Sequence, residues 1–405
     1  MTTIVLIGTL DTKGREYAYV RDLLREAGVE PLVVDVGVLG DPAFEAEIRA
    51  AQVAALGGER LEALRFAREG SDTRAHALAV MGRGAAALVR RLREEGRCDG
   101  VLGLAGSGGS AVIAEAMRAL PVGVPKLLVS TMAGTSAGVD VGTRDIAVLS
   151  PVTDIAGLNR VSRTILGNAA SAIAAMASAP ARSADADGPL VALTMMGVTT
   201  PCVLRVQAGL EENGFETIVF HAVGTGGRAL EEMVADGLVD GVCDVTTHEL
   251  TDHELGGIFD AGPERLAVAG RRGLPFVAVP GATEFVNFGA RDTVPPRLEQ
   301  RRIVVHNPSV CAVRIDRDEA AHVGRVFAER VNAAGGPAAV VLPLRGCSSY
   351  ELADGPFADA EADAALFDAI RANLRRDIDL REVDANVNDH AAADEILGAF
   401  LELYA

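Results

Sequence analysis

Short apolar runs recur along the whole chain, and most of them end in or are followed by a glycine or a polar residue. Each run is continuously hydrophobic rather than alternating, which is typical of strands buried on both faces of a parallel sheet. Stretches with helical periodicity separate the runs, so the pattern predicts repeated β–α units. The runs are TIVLIG (3–8), PLVVDV (31–36), VLGLA (101–105), KLLVS (126–130), DIAVLS (145–150), LVALTM (190–195), ETIVF (216–220), GVCDV (241–245), PFVAVP (275–280), RIVVH (302–306) and PAAVVLP (337–343).

The runs fall into two groups, separated by a small, polar, proline-flanked stretch at residues 178–189. At 405 residues the chain exceeds the size at which a single hydrophobic core keeps growing. We therefore predict an α/β protein with two Rossmann-like domains, each with a doubly wound, mainly parallel sheet. The expected domains are a nucleotide-binding domain at residues 1–180 and a second, acidic domain for a substrate or partner at residues 190–405.

Composition and charge argue against a nucleic-acid-binding protein, a membrane protein and a disulfide-rich protein. The net charge is −18, most of it after Gly188, and such an acidic surface repels nucleic acid. Because no long uncharged apolar run and no signal-like start is found, we expect a cytoplasmic protein without membrane contact. The five cysteines show no CxxC spacing, which favours reduced, buried thiols. Lysine occurs only as Lys13 and Lys126, either by chance or because an ammonium group is needed there.

The segment at residues 100–117 combines an apolar strand, a glycine loop and a helix expected to start at Ser110. Glycines in such a loop permit positive φ and close backbone approach, and the following helix directs N–H groups at the same space. The loop therefore predicts a phosphate site, with a tight strand-to-helix turn as the alternative. It has neither the P-loop lysine nor the GxGxxG spacing. The residues concerned are Gly106, Ser107, Gly108, Gly109 and Ser110.

Other polar residues of the first half follow predicted strands, at the edge where open α/β sheets bind ligands. Lys13 is expected to meet a phosphate. Asp35 is placed to accept from ribose hydroxyls, or alternatively to cap a helix. A second small, hydroxyl-rich loop at residues 131–138 is expected to complete a phosphate or nucleobase pocket. The candidates are Thr9, Asp11, Thr12, Lys13, Asp35, Thr131, Met132 and Gly134.

The second half repeats this arrangement, with polar residues after each strand and a glycine-rich loop at residues 221–227. Since consecutive parallel strands end at one edge, these residues are expected to line a common crevice that binds a substrate. No metal site is predicted, because His248 and His253 are five apart and do not form HExxH. The candidates are Thr199, Thr200, His221, Gly226, Gly227, Glu249, Asn287 and His306.

Several motifs in the same order resemble one family along essentially the whole chain. They are GTLDTKG, GSGGS, VSTMAG, NRVSRTILGNAASA, MMGVTTPCV, FHAVGTGG, TTHEL, PGATEFVNF and HNP. Together they resemble the ATP-binding domain family of the plant tobamovirus-resistance protein and its uncharacterised bacterial relatives.

The resemblance implies ATP with Mg²⁺ at the first domain, with contacts at Thr9, Asp11, Lys13 and Asp35 and at the two small-residue loops. It also implies a homodimer. In the plant protein this region precedes a TIM-barrel domain that resembles phosphoenolpyruvate hydrolases, so a separate barrel protein is an expected partner here.

Three functions remain open at this stage. The first is an ATP-dependent protein that acts on a small carboxylate or phosphorylated metabolite in a cleft between the domains. The second is a non-catalytic regulatory or partner-binding module that ATP orders. A NAD-linked oxidoreductase is the third, weakened by the missing GxGxxG.

Overall fold

The computed structural model describes residues 1–65, 71–136, 138–179 and 188–405, and for Ser71 and Asp72 the backbone alone. The chain divides into two compact units, Met1–Arg182 and Ser183–Ala405. Most of the stretch predicted as a linker, residues 180–187, lies outside the described residues. Each unit is therefore described by itself.

Unit 1 is built on a parallel sheet of five strands in the order β2-β1-β3-β4-β5. The strands are β1 (Thr3–Gly8), β2 (Glu30–Asp35), β3 (Gly100–Ala105), β4 (Lys126–Ser130) and β5 (Ala147–Leu149). The helices are α1 (Leu10–Glu26), α2 (Ala50–Leu56), α3 (Leu61–Arg65), α4 (Ser71–Glu94), α5 (Ser107–Arg118) and α6 (Arg160–Ser178).

Helices cover both faces of this sheet. One buried cluster joins Ile4 and Leu6 of β1 to α1 and α6, and another joins Val5 and Ile7 to α2, α4 and α5. Successive strand residues point to opposite faces, so a strand buried on both faces must be apolar throughout. This confirms the doubly wound arrangement predicted for the first half.

A buried tyrosine fixes the two central strands of unit 1. The Tyr17 hydroxyl lies 2.7 Å from the Ile7 carbonyl oxygen and 2.8 Å from the Leu104 carbonyl oxygen, either of which can accept its proton. The same hydroxyl accepts a hydrogen bond from the Leu104 N–H at 2.7 Å. Burial raises the pKa of Tyr17 far above its usual value, so the hydroxyl stays neutral. A Cβ on Gly8 would lie 1.7 Å from this hydroxyl oxygen, which accounts for glycine at the end of β1.

Unit 2 has a parallel sheet of six strands in the order β14-β13-β9-β8-β6-β7 and a smaller sheet in the order β10-β12-β11. The strands are β6 (Leu190–Met195), β7 (Glu216–His221), β8 (Gly241–Thr246), β9 (Phe276–Gly281), β10 (Phe285–Phe288), β11 (Ile303–Asn307), β12 (Val310–Arg314), β13 (Ala338–Pro343) and β14 (Asp379–Val383). The helices are α7 (Thr200–Glu212), α8 (Thr225–Ala235), α9 (Glu249–Leu255), α10 (Val268–Arg271), α11 (Arg317–Val331), α12 (Ala360–Asn373) and α13 (His390–Tyr404).

The large sheet of unit 2 is also covered on both faces. Helices α7 and α13 pack on one face, and α8 to α12 pack with the small sheet into the cluster on the other. The two-domain α/β fold with parallel sheets is thus confirmed. All five cysteines are buried, and in the described residues no helix is long and apolar enough to cross a membrane.

The small sheet departs from the prediction. RIVVH was expected to be a parallel strand, but β11 pairs antiparallel with β12 through a turn at Pro308 and Ser309. A two-residue connection can only join antiparallel neighbours, because a parallel pair needs a long crossover. His306 is therefore an exposed residue of this sheet and does not lie at the edge of the large parallel sheet.

Candidate functional site

A cavity of about 670 Å³ lies at the carboxyl ends of the unit 1 strands. Its lining comes from the segments after β1, β2, β3, β4 and β5 and from α3 and α4. Helix α1 leaves β1 on one face of the sheet and α5 leaves β3 on the other, so the chain connections diverge between β1 and β3. Ligands of open α/β sheets bind at such a switch point. The volume is within the usual range for cofactor sites.

The cavity brings together most of the first-domain candidates. Those that line it are Thr9, Asp11, Thr12, Lys13, Gly106, Ser107, Gly108, Gly109 and Thr131. The candidates outside the lining are Asp35, Ser110, Met132 and Gly134. Gly134 has φ of 112° in the turn after β4, a conformation that glycine supplies without strain.

The two carboxylate oxygens of Asp11 differ in their contacts. Its Oδ2 accepts from the N–H groups of Leu39 and Gly40 at 2.8 and 3.2 Å. Its Oδ1 is buried and has no hydrogen-bond partner in the part of the chain that the structure describes. A Cβ on Gly37 would lie 2.6 Å from the Asp11 carboxyl carbon, so the glycine makes room for this group. An oxygen left in this state is suited to a hydroxyl donor or to a cation.

Lys13 lines the cavity and ties two segments of unit 1 together. Its Nζ donates to the Ile155 carbonyl at 2.5 Å, and its backbone departs from helical geometry inside α1. From the next turn of α1, a Glu16 carboxylate oxygen accepts from the Gly157 N–H. The ammonium group therefore lies between the end of β1 and the segment after β5.

The glycine loop differs in detail from the prediction. Helix α5 starts at Ser107, not at Ser110, and Gly106 precedes it without a side-chain cap. None of Gly106, Gly108 and Gly109 has positive φ. The two later glycines thus belong to the first turn of α5, where the missing side chains leave backbone N–H groups open to the cavity.

Ser110 does not line the cavity; its side chain instead makes a buried contact between two elements of unit 1. Its buried hydroxyl is 2.7 Å from the Ser130 hydroxyl, which accepts from the Met132 N–H at 3.0 Å. This bond joins α5 to the end of β4. It holds the first turn of α5 next to the loop at residue 131.

The Asp35 carboxylate caps the start of a helix, which is the alternative to a ribose contact. Its Oδ1 accepts from the N–H groups of Leu10, the first residue of α1, and of Gly37, at 3.1 and 2.9 Å. Burial raises the pKa of Asp35, although these N–H groups oppose the rise. Asp35 therefore fixes the start of α1, and its ribose contact remains a prediction.

Helices α3 and α4 contribute a wall of the cavity that the sequence does not predict. This wall is apolar, with arginines at its rim. Ala77, Leu78 and Met81 follow Arg74 on one face of α4 at helical spacing. Arg65 of α3 donates to the Gly40 carbonyl at 3.0 Å. Helical periodicity is weak before α4, and nothing in the sequence pairs these residues with the ends of β1 and β3.

In unit 2, Glu249 belongs to a buried ion cluster. One of its oxygens accepts from the N–H groups of Gly224 and Gly227, at 2.5 and 3.0 Å, and the other from Arg265 Nε at 2.7 Å. Arg265 is fully buried and also bonds Asp244 and Glu231, with 2.7 Å from Nη2 to an Asp244 oxygen. Both Glu249 oxygens are thus engaged within the protein.

The other unit 2 candidates are also held by local bonds. The Thr199 hydroxyl is 2.7 Å from that of Thr246, and the Thr200 hydroxyl donates to the Met196 carbonyl at 3.1 Å. His221 is exposed at the end of β7, with Nδ1 3.1 Å from the Met195 carbonyl. A Cβ on Gly226 would lie 1.9 Å from the His221 carbonyl oxygen, which makes glycine necessary in this turn.

Asn287 belongs to a second buried polar group. His248 Nδ1 lies 2.8 Å from the Ala282 carbonyl, and its Nε2 lies 3.3 Å from Asp252 Oδ1. The same Asp252 oxygen accepts from the Asn287 N–H at 2.8 Å. The nearby carboxylates raise the pKa of His248 against its burial. His248 Nε2 makes no hydrogen bond beyond this ion-pair contact, and Glu284 Oε2 and Asn287 Oδ1 are also buried atoms of this region without hydrogen-bond partners among the residues that the structure describes.

The comparisons with known proteins identify both units. The UPF0261 N-terminal domain model matches residues 2–182, and the UPF0261 C-terminal domain model matches residues 188–404. Both are described as domains of an uncharacterised protein family.

Individual relatives agree with this result. A UPF0261 protein of Rhizobium meliloti is 40% identical over 406 residues, covering 100% of this chain and 99% of its own length. A UPF0261 protein of Clostridium tetani is 39% identical over 391 residues, or 96% of each chain. The tomato ToMV resistance protein Tm-1(GCR237) is 35% identical over 340 residues, which are 82% of this chain and 45% of the tomato protein.

A solved Streptomyces glycosyltransferase structure, SsfS6 with thymidine diphosphate, covers 69% of this chain and 82% of its own at 17% identity and a TM-score of 0.20. So low a score supports no argument about function. The two family models and the bacterial relatives span the whole chain, and the protein therefore belongs to the UPF0261 family.

Proposed function

We propose that unit 1 binds ATP, with Mg²⁺, in the cavity at the carboxyl ends of its strands. The observation that carries this proposal is the convergence of three features in one cavity. These are the open first turn of α5, the Lys13 ammonium group and the unpartnered oxygen of Asp11. A nucleotide site needs N–H groups and a cation for the phosphates, acceptors for the ribose hydroxyls and an apolar surface for the base.

The residues that line the cavity fit the phosphates with their Mg²⁺ and also the base of the nucleotide. Backbone N–H groups at a helix N-terminus favour phosphate, and an ammonium group neutralises it as a point charge. Mg²⁺ is usually held by one or two carboxylates together with substrate phosphates, and Asp11 offers one such oxygen. The apolar side of α4, with Leu78 and Met81, is suited to a flat base.

Lys13 provides the sharpest test. Lys13→Met keeps the aliphatic stem and removes the charge, so ATP·Mg²⁺ affinity should fall about 10- to 150-fold, the equivalent of a charge-assisted hydrogen bond. Lys13→Arg should recover part of it, because the longer planar group needs a different oxygen geometry. Isothermal titration calorimetry measures the ATP·Mg²⁺ affinity of the wild-type protein and of both variants. Arg25→Ala removes an equal charge from the exposed end of the same helix and is the control.

Two results would overturn the proposal. Wild-type protein that binds no ATP·Mg²⁺ at millimolar concentrations would refute the site itself. Unchanged affinity in Lys13→Met would refute the role of the ammonium group. Thermal unfolding of each variant shows whether a lost Ile155 contact, rather than lost phosphate binding, explains a weaker titration.

The alternative of a regulatory or partner-binding module uses the same cavity. Release of phosphate or AMP from ATP, with small carboxylates or phosphorylated metabolites added, would favour an enzyme. Binding without turnover would favour the module. The homodimer and the separate barrel partner, both implied by the family resemblance, also stay predictions, and sedimentation analysis tests the first.

A further inference from the structure

We infer that Arg74 is a specificity-determining residue of the proposed nucleotide site, and that it selects ligands by the number of their phosphates. This inference rests on the proposed function. None of the sequence motifs described above includes Arg74.

Arg74 lies against the first turn of α5. A Cβ added to Gly108 would be 3.4 Å from a terminal nitrogen of Arg74 and 3.5 Å from the methyl groups of Leu78. The guanidinium group of Arg74 therefore lies beside Gly108, in the first turn of α5, where the proposed function places a phosphate. Glycine at 108 leaves the space between them open.

Arg74 differs from the other cations of the cavity in having no partner among the residues that the structure describes. Lys13 donates to the Ile155 carbonyl, and Arg65 contacts the Gly40 carbonyl and, at 3.3 Å, Asp41. Among the described residues, Arg74 makes no hydrogen bond and no ion pair, and its side chain is exposed. A bound anion would gain this charge without first breaking a contact inside the protein.

The position of Arg74 indicates which part of a ligand it meets. Below it on the same face of α4, Ala77, Leu78 and Met81 form the apolar wall. A base on this wall and a phosphate on the turn of α5 leave the rim for the rest of the phosphate chain. A guanidinium group matches phosphate oxygens with two parallel hydrogen bonds. A monophosphate offers only one phosphate to the turn of α5 and Arg74 together, whereas a longer chain offers a separate phosphate to each.

The test compares ATP, ADP and AMP, each with Mg²⁺, by calorimetry on the full chain. In Arg74→Ala, ATP affinity should fall at least 10-fold while AMP affinity changes less than threefold, so the ATP-to-AMP preference shrinks. Arg74→Lys should restore part of the preference, since it keeps a charge without the planar pair of donors. Arg90→Ala removes an exposed arginine further along α4, outside the lining, and should leave all three affinities unchanged.

The outcomes separate the inference from the proposed function. If wild-type protein binds none of the three nucleotides, the proposed function fails and the inference fails with it. If ATP binds but Arg74→Ala leaves its affinity unchanged, or weakens ATP and AMP equally, the inference alone is overturned. A selective loss of ATP affinity supports it.

Discussion

The buried ion cluster of unit 2 allows a prediction whose size follows from the structure. Arg265 is 0% exposed and bonds Asp244, Glu249 and Glu231. Arg265→Met keeps most of the side-chain volume but leaves these carboxylates without their cation. Removing one partner of a buried ion pair costs about 3–5 kcal/mol, which is a large part of the roughly 5–15 kcal/mol that stabilises a typical domain.

The loss should be visible in both chemical and thermal unfolding. For a unit of this size, each kcal/mol moves Tm by about 2–4 °C, so we expect the unit 2 transition to fall by roughly 6–20 °C. Arg205→Met breaks an exposed pair with Asp394 and should change the free energy of unfolding by about 0–1 kcal/mol, because exposed pairs contribute little.

The pH dependence of Arg265→Met gives a second measurement. Without the cation, folding must bury carboxylates at a cost, so the folded state takes up protons more readily than the unfolded chain. Its free energy of unfolding should therefore recover as the pH falls from 7 to 5. A loss no larger than that of Arg205→Met, or a loss independent of pH, would refute the reasoning.

Two further predictions concern the same region. Burial raises the pKa of Glu231 to about 7, so the folded state holds its proton more tightly and the free energy of unfolding should fall as pH rises from about 4.5 to 7. Urea unfolding at pH 5 and 7.5 should show a flatter dependence in Glu231→Gln, and an equal fall would contradict this. Gly227→Ala would place a Cβ 2.0 Å from a Glu249 oxygen and 2.7 Å from Arg265 Nε, and should cost about 1–3 kcal/mol. Gly398→Ala, with nothing within 4 Å inside α13, is the control, and a Gly227→Ala variant as stable as wild type would refute the clash.

The sequence predicts the parallel sheets because burial on both faces leaves a plain local signal. A run such as TIVLIG must be apolar at every position, and the polar residues that follow mark its carboxyl end. The same signal misassigns RIVVH, since an apolar run does not reveal whether its neighbour is parallel. Only the short turn at Pro308 and Ser309 distinguishes the antiparallel pair.

The candidate site is predictable where one segment builds it and not where distant segments meet. Gly106 to Gly109 are found because glycines after a strand are informative by themselves. Arg74 and the apolar wall of α4 are missed, because an arginine on an amphipathic helix resembles any solvated residue. The partners of Arg265 lie at positions 231, 244 and 249, and no sequence spacing connects them.

The five buried cysteines can report when each unit of the protein unfolds far enough to expose its interior. Burial raises the pKa of the Cys98 thiol to about 11 and that of Cys202 to about 12, and it raises the pKa of Cys243, Cys311 and Cys347 as well. Thiols in this state hold almost no thiolate at neutral pH, and the thiolate is the form that alkylating reagents attack. Labelling therefore proceeds only through molecules that have opened. One position lies in unit 1 and four in unit 2, so mass spectrometry of labelled peptides times the opening of each unit separately.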